Sequence, residues 1–127
     1  MIFDAKKRLK RRMEAAQGYL MLELPDRALQ ELQGVDTDSD KAFDVLLLRG
    51  EAYRAKADFQ SALVEFSNAH KLQPNDLSAM MGMAWCYKRI DQLDRSIETM
   101  RLAYESHKEV PVVLYNLACY YSLAGEK

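Results

Sequence analysis

Apolar residues in this chain return every third or fourth position, stop, and then return. Leu46, Gly50 and Tyr53 mark one run and Ala62, Phe66 and Ala69 the next, each tracing one face of a helix. Turn chemistry sits where the runs stop: Ala57-Asp58 between these two, Pro74-Asn75-Asp76 after them, and Asp91-Gln92 further on. Pro25 suits the first turn of a helix, where its missing N–H leaves no bond unmade. The pattern predicts helices at about residues 4–22, 25–34, 40–56, 59–72, 76–90, 93–107 and 111–124.

The pattern also repeats. Sliding the sequence along itself by 34 residues aligns Tyr19, Tyr53, Tyr87 and Tyr121, and in the same register Ala16, Gly50, Ala84 and Ala118. Three more columns follow: Ala28, Ala62 and Ser96; Leu32, Phe66 and Met100; Val35, Ala69 and Ala103. Small faces small and large faces large, so each unit is a helical hairpin built to one plan. Glycine inside a helix costs about 1 kcal/mol relative to alanine, so Gly50 implies a neighbouring helix too close for a larger side chain.

The second unit reads Leu46-x-x-Arg49-Gly50-x-x-Tyr53, then Ala62-x-x-x-Phe66, Ala69 and Pro74. It resembles the tetratricopeptide repeat (TPR) family of 34-residue helix-turn-helix units. Arg49 stands where the family prefers leucine, Arg12 where a large apolar residue is usual, and Lys108 where the closing proline falls. Tyr115 to Gly125 looks like the first helix of a further repeat. The resemblance implies an all-α, right-handed α-solenoid of about three and a half units, at residues 9–42, 43–76, 77–110 and a half repeat 111–127. It also implies one repeat domain over 1–127 that is part of a longer array.

In this family the first helices line a concave wall that binds peptides or partner proteins. The resemblance therefore implies an interaction scaffold or adaptor; no nucleophile elbow, phosphate-cradling glycine loop or paired-carboxylate setting appears in the sequence, so no enzyme activity, cofactor or metal is expected. Its wall-facing positions here are Leu47, Leu48, Glu51 and Arg54 in the second unit, Met81, Gly82, Trp85, Lys88 and Arg89 in the third, and Tyr115, Asn116 and Cys119 in the last. Trp85 is the expected anchor, with Lys88 and Arg89 as a basic edge suited to an apolar partner with an acidic flank. The family's clamp for acidic chaperone tails is excluded. Its positions hold Met13, Gln17, Leu48, Ser78 and Gly82 in one frame, or Leu47, Glu51, Gly82, Val112 and Asn116 in the next, and only Asn116 fits.

Composition narrows the picture further. The 127 residues are 49% hydrophobic and 29% charged with net charge −1, enough apolar material for one core. No apolar run reaches the roughly 18–20 residues of a membrane span, and no signal-peptide pattern appears, so a cytoplasmic protein is expected. Charge is uneven: residues 1–12 carry +5 and the remaining 115 sum to −6. That basic tip, with Ile2, Phe3, Leu9 and Met13 as an apolar stripe, is the alternative function, binding nucleic acid or an anionic membrane surface. We read it as a solvated helix face, because the acidic body repels polyanions and no aromatics interleave the basic residues.

Asp36-Thr37-Asp38-Ser39-Asp40 imitates a calcium loop, but Lys41 and Leu47 occupy its glycine and glutamate places, so Ser39 or Asp40 is expected to cap the next helix. His70 and His107 fall late in second helices, without enough partners for a metal. Cys86 and Cys119 are expected to be buried thiols rather than a disulfide. Finally, the face carrying Leu114, Leu117 and Tyr121 has no second helix to cover it, which predicts a homodimer through the last helix.

Overall fold

The computed structural model describes residues 2–35 and 40–125, and these form seven helices. They are α1 (Ile2–Met21), α2 (Pro25–Leu32), α3 (Ala42–Ala55), α4 (Phe59–Leu72), α5 (Leu77–Arg89), α6 (Leu93–Ser106) and α7 (Pro111–Leu123). Consecutive helices pack as antiparallel pairs, and the pairs stack in chain order.

The turns inside the pairs share one geometry. The chain reverses through a left-handed residue at Glu23 (φ 60°), Ala57 (φ 63°) and Asp91 (φ 62°), and again at Gly125 (φ 76°) after α7, each 34 residues from the last. In the first three, the amide of the next residue donates back to the repeated tyrosine: Leu24 to Tyr19 at 2.8 Å, Asp58 to Tyr53 at 2.9 Å and Gln92 to Tyr87 at 2.9 Å. This closes the helix C-terminus; the Tyr53 and Tyr87 carbonyls accept in addition from the helix-end amides of Lys56 at 3.1 Å and Ile90 at 3.3 Å.

Helix starts are more varied. Asp58 and Asp76 cap α4 and α5, accepting from Ser61 N–H at 3.2 Å and Ala79 N–H at 3.3 Å. Prolines open α2 and α7. α3 begins at Ala42 with Lys41 at its N-cap and no side-chain cap bond there, so Asp40 is not the expected cap. Ser39, like Asp36 to Asp38 of the imitation calcium loop, lies outside the described residues.

The centre of the stack is Phe66 of α4, which is fully buried. A Cβ at Gly50 would lie 2.6 Å from Phe66 Cε1, and one at Gly82 would lie 2.7 Å from its Cδ1. One ring therefore requires two glycines, on α3 and on α5. Gly50 behaves as expected, but Gly82 does not face the concave wall: it is buried beneath Phe66. In the small column of the next pair, the buried Ser96 hydroxyl donates to the Ala84 carbonyl at 2.7 Å, which lets a serine stand where the other units have alanine.

The first pair is built differently. α2 spans eight residues against fourteen in α4 and α6, because Gly34 turns left-handed (φ 70°) just beyond it. Its last carbonyls are taken by two arginines. Arg12 donates through Nε to Glu31 O and through Nη2 to Gln33 O, both at 2.6 Å, and Arg49 Nη2 donates to Leu32 O at 2.7 Å. These are the two arginines that depart from the repeat pattern, and cations also suit the negative end of a helix.

At the other end, α7 buries Val113, Leu117 and Tyr120 against Met80, Ile97 and Met100. Leu117 is only 8% exposed, so it does not belong to the uncovered face as expected. That face consists of Leu114 (55% exposed), Tyr115 (69%) and Leu123 (59%), with Ala118 also exposed and Tyr121 half-buried.

Candidate partner-binding groove

Several residues expected on the wall hold helices together as well. Leu47 is half-buried against Phe43, Leu46 and Ala79 on one side and Phe66 and Cys86 on the other. Leu48 joins the cluster of Ala16, Leu32 and Val45, and Met81 joins that of Met80, Val113 and Leu117. Asn116 and Cys119 are half-buried on α7, and Lys88 is exposed at the end of α5.

Trp85 gathers the chemistry. It is half-buried over the cluster of Ala62, Phe66 and Cys86, and its ring meets Phe59 edge to face with centroids 5.1 Å apart. The Arg54 guanidinium lies 5.1 Å from the Trp85 centroid, and that of Arg89 lies 5.0 Å from Trp85 and 5.4 Å from Phe59. Arg54 is also ion-paired with Glu51 one turn earlier. Five residues from α3, α4 and α5 thus meet at one place. Among the described residues Trp85 pairs with Phe59 and not with Tyr115, so the apolar centre expected from Trp85, Met81 and Tyr115 is not a single patch.

Sequence reading missed Phe59. It is the first residue of α4, aligned in the 34-residue register with Pro25 and Leu93, and no column marks it. The expected Arg89 neighbour is present, and Arg54 joins it from the preceding unit.

Electrostatics beneath the site are quiet. Burial pushes the Cys86 thiol up to about 11, with Arg54 drawing it down and Glu51 pushing it further up, so a reactive thiolate is not formed at neutral pH. Cys86 is buried and Cys119 half-buried, and both are free. Burial, followed by the nearby Cys119 and Cys86, also raises the Tyr120 hydroxyl. His70 lies in the last turn of α4 and His107 caps α6 with Nδ1 3.2 Å from Ala103 O. Among the described residues no three His, Cys, Asp or Glu side chains group as a metal site requires.

The basic tip forms a second surface. Lys6, Lys7, Arg8, Lys10 and Arg11 are exposed on α1, beside a cleft of about 760 Å³ lined in part by Leu9, Met13, Val35 and Lys41. Leu9 and Met13 pack into the first core cluster rather than forming a free apolar stripe; the Ile2 and Phe3 side chains lie outside the described residues. Arg12 is committed to the end of α2. Among the described residues no helix is long and apolar enough to cross a membrane.

No protein-family model matches the chain, and no curated protein matches it. Among solved structures it is similar to the MamA RS-1 ArsTM double mutant, at 21% identity and a TM-score of 0.79 over 91% of this chain. MamA is a TPR protein. The chain has the tetratricopeptide-repeat fold. It spans 65% of the MamA chain, so the likeness concerns architecture alone. Within that TPR fold α1, α3, α5 and α7 are the first helices of their pairs, and the Trp85 cluster stands on two of them.

Proposed function

We propose that the chain is a non-enzymatic interaction scaffold that holds a peptide or partner helix in the groove of its first helices. The groove residues are Leu47, Leu48, Glu51, Arg54, Met81, Trp85, Lys88, Arg89, Tyr115, Asn116 and Cys119, used without cofactor or metal. One observation carries this reading: a half-buried tryptophan flanked by two arginines and a phenylalanine, drawn from three helices. Tryptophan and arginine are the side chains most enriched where binding energy concentrates. A cytoplasmic setting accompanies the proposal, since both thiols are free.

The test compares partner capture from the native source by wild type, by Trp85→Ala and by a Lys6→Glu/Lys10→Glu variant of the basic tip. Loss confined to Trp85→Ala, with an unchanged thermal melt, supports the groove. Loss confined to the tip variant supports the alternative, nucleic acid or an anionic membrane surface bound by α1, and such binding weakens steeply with salt.

The exposed Leu114 and Leu123, neither of them a groove residue, favour a second reading that is compatible with the first: two copies pair through α7. Because Leu117 is core, the informative substitution is Leu114→Glu. Sedimentation of the full chain should show a dimer that this variant dissociates; a monomer at high concentration overturns the pairing.

A further inference from the structure

The groove reading leaves open what the bound segment must carry, and Arg89 is informative on that point. Its guanidinium lies over two rings, 5.0 Å from the Trp85 centroid and 5.4 Å from that of Phe59. Cation–π contact with two rings restrains the guanidinium near the cluster, and a guanidinium can pair bidentately with a carboxylate. Arg89 is exposed at the end of α5, and among the described residues no carboxylate is paired with it. Arg54 is paired with Glu51 and Lys56 with Asp26 at 2.7 Å, while Lys88, exposed beside Arg89, makes none of the cluster's ring contacts. The cluster therefore presents one guanidinium held over two rings, without a carboxylate partner, beside an apolar floor.

We propose that Arg89 receives an Asp or Glu carboxylate of the bound segment while an apolar side chain of that segment rests against Trp85 and Phe59. This rests on the groove reading above and specifies the partner as an acidic, apolar-anchored peptide. A phosphate dianion is a poorer match, because only one of the two arginines at the ring lacks a carboxylate. Single-stranded nucleic acid is also disfavoured. Single strands are held by successive aromatic platforms along a basic channel, whereas Phe59 and Trp85 form one edge-to-face pair here.

Trp85 is the single tryptophan of the chain, so its fluorescence reports on this place without background. The experiment titrates the full chain with short end-capped peptides that carry one central leucine, in paired acidic and amide versions, Glu and Asp against Gln and Asn. The acidic version should bind at least about tenfold more tightly at low salt, within the range of charge-assisted hydrogen bonds. Arg89→Gln should abolish that preference. Arg89→Lys should restore only part of it, because an ammonium lacks the fork. Arg101→Gln, an exposed charge on α6, should leave it unchanged.

Equal binding of the two versions by wild type overturns the carboxylate assignment and leaves the groove standing. So does a preference that survives in both Arg89 variants. An oligothymidylate that perturbs Trp85 at lower concentration than the acidic peptide also overturns the assignment, in favour of nucleic acid. If neither peptide perturbs Trp85, the groove reading falls and this inference with it.

Discussion

α2 and α4 occupy the same place in successive pairs and are secured by opposite means. α4 runs fourteen residues and is held by shape: the Phe66 ring fills a slot made by Gly50 and Gly82. α2 stops after eight residues and is held at its end by charge, with Arg12 and Arg49 on three consecutive carbonyls. The contrast shows that a departure from a repeat pattern can be a compensation. Leucine at either arginine position would follow the family more closely and strip the end of the shortened helix of part of its capping.

The largest effect should come from emptying the slot. Phe66→Ala removes a fully buried ring and should cost about 3–5 kcal/mol in a denaturant titration. Filling the slot is the complementary break. Gly50→Ala and Gly82→Ala should each cost about 1–3 kcal/mol, since the ring is confined from both sides. In a Phe66→Leu background the penalty of either alanine should shrink, a coupling that a double-mutant cycle measures.

Breaking the charged solution should cost less. Arg49→Leu leaves the Leu32 carbonyl without its donor and should lose about 1–2 kcal/mol. The loss should depend on pH through Glu65, half-buried on α4, whose carboxyl is raised by burial while Arg49 pulls it down. A carboxyl raised on folding favours the folded state most below its unfolded pKa, and that contribution is lost as pH rises through the folded value. Without Arg49 the folded value rises further, so the variant should lose more stability at pH 7 than near pH 4. An equal loss at both would uncouple Glu65 from Arg49.

The fold could be read from the sequence because its columns recur: Tyr19 to Tyr121 and Leu32, Phe66 and Met100 announce a helical repeat wherever they are met. What could not be read were contacts whose partners carry no side-chain signal. Arg12 and Arg49 bind backbone carbonyls, so they looked like plain exceptions. Gly82 was assigned to the wall because its register position is wall-facing, whereas the Phe66 ring of the adjacent α4 lies directly against it. Phe59 escaped notice because a lone aromatic at a helix start has no periodicity. Turns were expected at Ala57-Asp58 and Asp91-Gln92, but their left-handed conformation was hidden: Glu23, Ala57 and Asp91 occupy a conformation that usually attracts glycine, and among these four turns only Gly125 advertises it.

Those turns supply the smallest prediction, and the only stabilising one. The left-handed conformation costs a residue with a Cβ about 1–2 kcal/mol, part of which glycine returns through its greater freedom when unfolded. Ala57→Gly should therefore raise stability by about 0.5–1 kcal/mol, and Glu23→Gly in the arginine-held first pair by a similar amount. A loss at either site would mean that the turn does not hold its positive φ in solution.

Amide hydrogen exchange of the full chain, alone and with a saturating captured partner, tests the central claim most directly because it separates the groove from the basic tip. The account predicts new protection in the carboxy-terminal halves of α3 and α5, around Glu51–Arg54 and Trp85–Arg89, and little change in the first half of α1. Protection confined to α1 around Lys6–Arg11, with α5 unchanged, would contradict it.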